Sequence, residues 1–253
     1  MRAINIESIK YIGTDTFKNC TSLAIEELSL PNLTSLGQNA FYGVKIKKIS
    51  NLGKITALPY ASSSAENFGS KSVLEEVVLP DTLTTISANS FNNYTALSKL
   101  TINNESITSI GAQAFTNTAL GPSYVVSFPN LADATLADRI WANSGIERVE
   151  NLGRITKLDK TANGSSFGSS VKFVRLPSTL TEMQGYAFYK CTQLETIIVE
   201  AITPPTIQST EFSQTNSTFI IYVPDESVEA YKAATNWTAL ASRIKPLSEY
   251  VES

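Results

Sequence analysis

The sequence predicts an α/β repeat solenoid of about eight coils, rich in short parallel β-strands and ended by a strand-helix cap. Three observations predict it. An aromatic landmark recurs at Phe17, Phe41, Phe68, Phe91, Phe115, Trp141, Phe167 and Phe188, in steps of about 21–27 residues. After most landmarks comes a short run in which apolar and polar residues alternate, often closed by Pro. Whole blocks then return about 100 residues later, as NLGKITAL at 51–58 does in NLGRITKL at 151–158.

Each coil is read in the same order. The alternating runs ELSLPN (27–32), EVVLPD (76–81), KLTINN (99–104), VSFPN (126–130), FVRLPS (173–178) and TIIVE (196–200) predict strands with one buried face. A turn marked by Pro or Asn follows, then a convex segment carrying Ile or Leu and the aromatic residue. Leu83, Ile86, Phe91, Leu97, Leu100 and Ile102 of one coil have only the neighbouring coils to bury against, so stacking is obligatory. The small residue before the aromatic (Ala40, Ser90, Ala114, Ala187) suits a crowded bend. Ile9, Ile12, Phe17 and Leu30 return as Ile107, Ile110, Phe115 and Phe128, so four coils form a duplicated block. The predicted organisation is repeats over 1–202, in blocks of about 9–106 and 107–202, and a capping segment at 203–253.

The pattern in LTEMQGYAFYKCTQLETIIVE (180–200) resembles the BspA-like leucine-rich repeat, over about residues 9–200. That resemblance implies a single right-handed, leucine-rich-repeat-like coil. The stretch IYVPDESVEAYKAATNW is similar to the family's cap: a strand, then Pro224 and Asp225 opening a short helix with Val228, Tyr231 and Trp237 facing inward. The sixth coil lacks Phe, most coils replace the family's Cys by Gly43, Tyr94, Thr118 or Ser144, and the third and seventh carry Ser/Gly-rich inserts at 60–72 and 160–170.

Composition narrows the function classes. Net charge is −3 and the 20 Lys and Arg residues are scattered, which argues against a nucleic-acid partner. No apolar run is long enough to span a bilayer, so no membrane insertion is expected in this segment. The opening MRAINIESIKYIG has no apolar h-region, so a secretory signal is expected only outside this chain. Histidine is absent, which removes the usual general base and commonest metal ligand. Adjacent acids such as Glu26–Glu27 and Glu75–Glu76 should point to opposite faces of a strand, and Asp225 reads as a helix cap. No enzyme, cofactor or metal is expected. Cys20 and Cys191, in the first and eighth coils, are about 30 Å apart on this reading and should be buried structural thiols.

Binding is the remaining class. The first outward position of the strand ladder reads Glu27, Lys48, Glu76, Lys99, Val125, Arg148, Phe173, Thr196. Such alternation of sign stabilises cross-strand pairs, and the face serves equally as a merely solvated sheet surface. As a binding face, its best local candidates are Lys99, Arg148, Arg175 and an exposed Phe173, because aromatics and Arg dominate interface hot spots. The two inserts supply a second candidate edge through Tyr60, Asn67 and Asn163, with Phe68 and Phe167 in the core; flexible spacer loops are the alternative.

The resemblance implies a surface or secreted adhesion module of a bacterial protein, oligomeric state open, with a protein or glycan on host or neighbouring cells as partner. The alternative is a structural or receptor-binding component of a larger assembly, such as a phage particle or surface array. A start without a signal segment suits that alternative.

Overall fold

A computed structural model describes residues 2–62, 65–133, 135–158 and 165–252. The chain divides into two compact units, Met1–Gly121 and Pro122–Ser253. Each is a parallel β-solenoid.

The first unit contains β1 (Arg2–Asn5), β2 (Tyr11–Ile12), β3 (Ala24–Ser29), β4 (Ser35–Leu36), β5 (Lys45–Asn51), β6 (Glu76–Val78), β7 (Thr85–Ile86), β8 (Lys99–Thr101) and β9 (Ser109–Ile110). A five-stranded parallel sheet runs β1-β3-β5-β6-β8. Its buried positions stack in register as Leu28, Ile49, Val77 and Leu100. Two smaller pairs, β2-β4 and β7-β9, form a second ladder that stacks Ile12 on Leu36 and Ile86 on Ile110. The convex segment, for which no strand was expected, therefore contains paired strands of two residues each.

The second unit contains β10 (Val125–Ser127), β11 (Thr135–Leu136), β12 (Arg148–Asn151), β13 (Lys157–Leu158), β14 (Phe173–Leu176), β15 (Glu182–Met183), β16 (Thr196–Val199), β17 (Ile220–Val223), the helix α1 (Val228–Ala233) and β18 (Ile244–Pro246). Its main sheet runs β10-β12-β14-β16-β17-β18, with Val126, Val149, Val174, Ile197, Ile221 and Ile244 aligned beneath it. The second ladder is β11-β13-β15. All eight expected rungs form, and β1, β17 and β18 add three more among the described residues.

The aromatic landmarks form columns. Phe17 stacks on Phe41 at 5.3 Å, and Phe91 lies between Phe68 at 5.0 Å and Phe115 at 5.6 Å. In the second unit Trp141 takes the landmark place and stacks on Phe167 at 6.4 Å. The column continues through Phe188 and Phe212, 5.2 Å apart. Phe212 thus marks a further coil inside the predicted cap, where Thr206 also bridges to Glu182. The residues before the aromatics, Ala40, Ser90, Ala114 and Ala187, are buried, as the crowded bend requires.

The small polar residues around each aromatic now have a cause. Positions two before and two after it adopt the left-handed conformation, as at Asp15 and Asn19, Asn89 and Asn93, and Gln113 and Asn117. Asn and Asp tolerate that region better than other side chains, because their short polar groups bond locally. The twist aims alternate amides along the stack: Asn89, Phe91 and Asn93 donate to the carbonyls of Ala112, Ala114 and Thr116. Thr hydroxyls bind the second edge, with Thr84 donating to Thr56, Thr108 to Thr84, and Thr181 to Thr156. The repeated Asn-Leu-Gly has a similar origin. Asn51 accepts the Gly53 amide at 2.7 Å, and Gly53 has φ +68° with the Leu33 backbone 2.4 Å from where a Cβ would stand.

The segment after the last coil packs as expected at Tyr231 and Trp237, both buried; Val228 is half-buried. Their polar tips reach back into the coils, the Tyr231 hydroxyl donating to the Ala201 carbonyl and the Trp237 indole to that of Pro205. Asp225 is not a helix cap. It sits in the 3-10 turn Asp225–Ser227 and accepts the Ser248 amide at 3.0 Å instead.

Candidate functional site: the outer faces of the ladders

The outward positions align as the sequence predicts within each unit. Glu27 faces Lys48, Lys48 faces Glu76, and Glu76 faces Lys99; Val125 faces Arg148, Arg148 faces Phe173, and Phe173 faces Thr196. The register is fixed because a slip of one residue would turn the inward column out to solvent.

On the first unit the face carries two charged columns. Lys47 lies 3.3 Å from Glu26 and 3.9 Å from Glu75, while Glu76 lies 3.4 Å from Lys48 and 3.1 Å from Lys99. These groups border a shallow depression of about 350 Å³. Glu26 and Glu27 both line it, as do Glu75 and Glu76, so the adjacent acids do not point to opposite faces. The reason is local: two residues separate the buried Ile25 and Leu28, and Glu75 precedes β6. Hydrogen bonding from Lys99 holds the Glu76 carboxyl below its ordinary range. A glycosidase-type acid needs the opposite shift.

On the second unit the face is aromatic and cationic. Phe173 is not exposed: only 5% of it is accessible. The Arg148 guanidinium covers its ring at 4.0 Å, Arg175 approaches at 5.8 Å, and the Tyr250 ring lies 6.0 Å away. Arg148 pairs with Glu150 and, at 2.9 Å, with Glu252; Arg175 lies 3.6 Å from Glu150 and 3.2 Å from Glu200. Burial opposes the Arg148 charge, but Glu150 and Tyr250 outweigh it and strengthen the group's hold on its proton. Tyr250 and Glu252 were invisible in the repeat pattern. Contact across about a hundred positions, as between Arg148 and Glu252, leaves no local signal.

The insert candidates separate. Tyr60 is 62% exposed. Asn67 is fully buried, its carbonyl oxygen accepting the Asn39 amide at 2.7 Å while its nitrogen donates to Pro59 at 3.1 Å. Glu66 likewise accepts the Gly43 amide. These side chains receive amides of the second coil that point along the stack, and Asn67 is thus a structural plug rather than a surface contact. Asn163 lies outside the described residues. Phe68 and Phe167 are buried, as expected for core.

Cys20 is exposed and Cys191 buried, both free. Cys20 departs from expectation because its coil is loosely packed, Phe17 and Leu23 being only half-buried. Burial pushes the Cys191 thiol up to about 12, although Ser165 approaches it at 3.1 Å. Glu211 is the one buried carboxylate among the described residues. Its two oxygens accept the Gly185 and Ala187 amides, the same plugging role as Glu66 and Asn67. Among the described residues no cluster of three His, Cys, Asp or Glu could hold a metal, and no helix is long and apolar enough to cross a membrane.

Comparison with known proteins agrees with the coil. The BspA type Leucine rich repeat region matches in six copies over residues 1–121 and 135–240. No curated protein matches the chain. Among solved structures, a leucine rich cell surface protein of Faecalibacterium prausnitzii is similar at 15% identity and TM-score 0.48, covering 87% of this chain and 67% of its own. A leucine-rich repeat protein of Eubacterium ventriosum gives 16% and 0.45, covering 84% and 70%. One of Bacteroides ovatus gives 17% and 0.42, covering 96% and 77%. With the family match spanning most of its length, the chain belongs to the BspA-type leucine-rich repeat family, whose repeats typically serve as protein-interaction modules.

Proposed function

We infer that the chain is a non-catalytic adhesion module of a surface or secreted bacterial protein, binding a host matrix protein, cell surface or glycan through the outer faces of its ladders. One observation carries this reading: each sheet holds a column of chemically distinct outward side chains in fixed register. The rung positions themselves are ordered by the backbone register before a partner arrives, which lowers the cost of binding. The first unit offers paired Lys and Glu groups, suited to steering and register, and the second offers the Arg-aromatic cluster typical of hot spots.

The test is binding of the purified chain to an array of matrix proteins and glycans, alongside Lys99→Glu and Arg175→Glu variants. Saturable binding weakened at least about tenfold by either change supports the reading. Binding unaffected by both, with the fold intact, assigns the partner to another surface.

A further inference from the structure

Phe173 is covered by the ladder residues Arg148 and Arg175 and also by Tyr250, which belongs to a segment that lies on the ladder without joining it. After β18 the chain makes a 3-10 turn at Leu247–Glu249, held by the Ser248 amide on Asp225 and by Lys245 at 3.9 Å from Glu249. It then sets Tyr250 between two aromatic rings, Tyr222 at 5.2 Å and Phe173 at 6.0 Å. Two residues on, Glu252 reaches Arg148 at 2.9 Å. Val251, between them, is 82% exposed, and the Glu252 side chain itself is 76% exposed. An aromatic ring and a carboxylate two positions apart thus engage an aromatic-arginine cluster, yet much of the segment remains in water.

We propose that segment 247–252 is an internal ligand of the second ladder face, and that Phe173, Arg148 and Tyr222 form a site for an aromatic-acidic peptide of a partner protein. This deepens the adhesive reading and rests on it for its biological meaning, not for its chemistry. The observations favour a peptide because the occupant already present is one. Its ring packs near Phe173 while Arg148 lies over that ring, and its carboxylate takes the outer side of the same guanidinium. The partner would displace a segment whose acid contact is solvent-exposed and therefore weak. Binding then requires release of the segment, which lowers apparent affinity by the fraction of time the face is open.

The test uses the full chain and the acetylated, amidated hexapeptide LSEYVE, titrated by calorimetry. The double variant Tyr250→Ala/Glu252→Ala, which weakens the internal contact, should bind the peptide at least about tenfold more tightly than the intact chain does. Adding Arg148→Gln to that background should return affinity to the intact level. A peptide with Ala for Tyr should not bind. If the double variant melts early, Glu252→Lys alone decides, since it changes a mostly exposed side chain and turns its charge against Arg148. Equal affinity for intact and weakened chains, or no binding by a folded weakened chain at millimolar peptide, overturns the assignment. Peptide binding without any partner on the array would leave this site standing and remove the adhesive reading; the converse removes only this site.

Discussion

Phe91→Ala is the most informative perturbation of the coil. Phe91 is completely buried, stacks on Phe68 at 5.0 Å and Phe115 at 5.6 Å, and meets the Tyr94 ring edge-on at 5.8 Å. Truncating a buried Phe costs about 3–5 kcal/mol from lost transfer energy and the cavity left behind. The lost ring pairs, worth about 0.5–1.5 kcal/mol each beyond area, place this site toward the upper end. Collapse is limited because the backbone on both sides is tied by the Phe91 amide to Ala114 and by neighbouring rung bonds. Phe17→Ala is the internal control. That ring is half-buried and, among the described residues, stacks only on Phe41, so its loss should cost about 1–2 kcal/mol. Urea unfolding followed by far-UV circular dichroism measures both. A cost for Phe91→Ala below about 1.5 kcal/mol, or equal to that of Phe17→Ala, would refute a close-packed aromatic column shared by neighbouring coils.

Other consequences follow from particular groups. Burial pushes the Glu211 carboxyl up to about 7, against the pull of the Ala187 and Gly185 amides. The folded chain therefore holds a proton there that the unfolded chain releases, so this contribution is full below about 4.5 and is lost as pH rises through about 7, by about 3 kcal/mol. Urea melts across that window should show the decline in the intact chain and a flatter profile in Glu211→Gln; a steeper decline in the variant contradicts the assignment. Gly53→Ala should cost at least about 2 kcal/mol, since the residue combines positive φ with the Leu33 backbone at 2.4 Å, and a melt unchanged by it would contradict that packing. Native-state alkylation read by mass spectrometry should modify Cys20 rapidly and spare Cys191, the reverse order being incompatible with their burial.

Much of the fold was legible because stacking repeats the same physical demand in every coil. Period-two alternation placed the rungs, and the outward columns, Glu27 to Lys99 in the first unit and Val125 to Thr196 in the second, were read residue by residue because a parallel stack aligns equivalent positions. The extra coil at Phe212 was harder to see, because between Thr203 and Thr218 only Ile207 and Phe212 stand as apolar landmarks among Pro and polar residues. The two-residue strands of the second ladder lie below the length at which alternation carries information. Asn67 and Glu211 were illegible for another reason. Each receives amides where a neighbouring coil departs from the repeat, so each needs to be unlike its equivalents. The candidate site divided the same way: its rung residues Arg148, Phe173 and Arg175 came from periodicity, whereas Tyr250 and Glu252 reach them by folding back. That return turned an expected exposed Phe173 into a covered one.

If partners meet the outward ladder residues, lysine acetylation footprinting of the partner-bound chain will show it. Lys47, Lys48 and Lys99 stand on the first face, whereas Lys232 on α1 and Lys54, beyond β5, stand off it. Bound partner should slow acetylation of at least one of the three ladder lysines, or of Lys172 beside β14, and leave Lys54 and Lys232 at their free rates. Protection confined to Lys54 or Lys232, with every ladder lysine labelled as in the free chain, would contradict it.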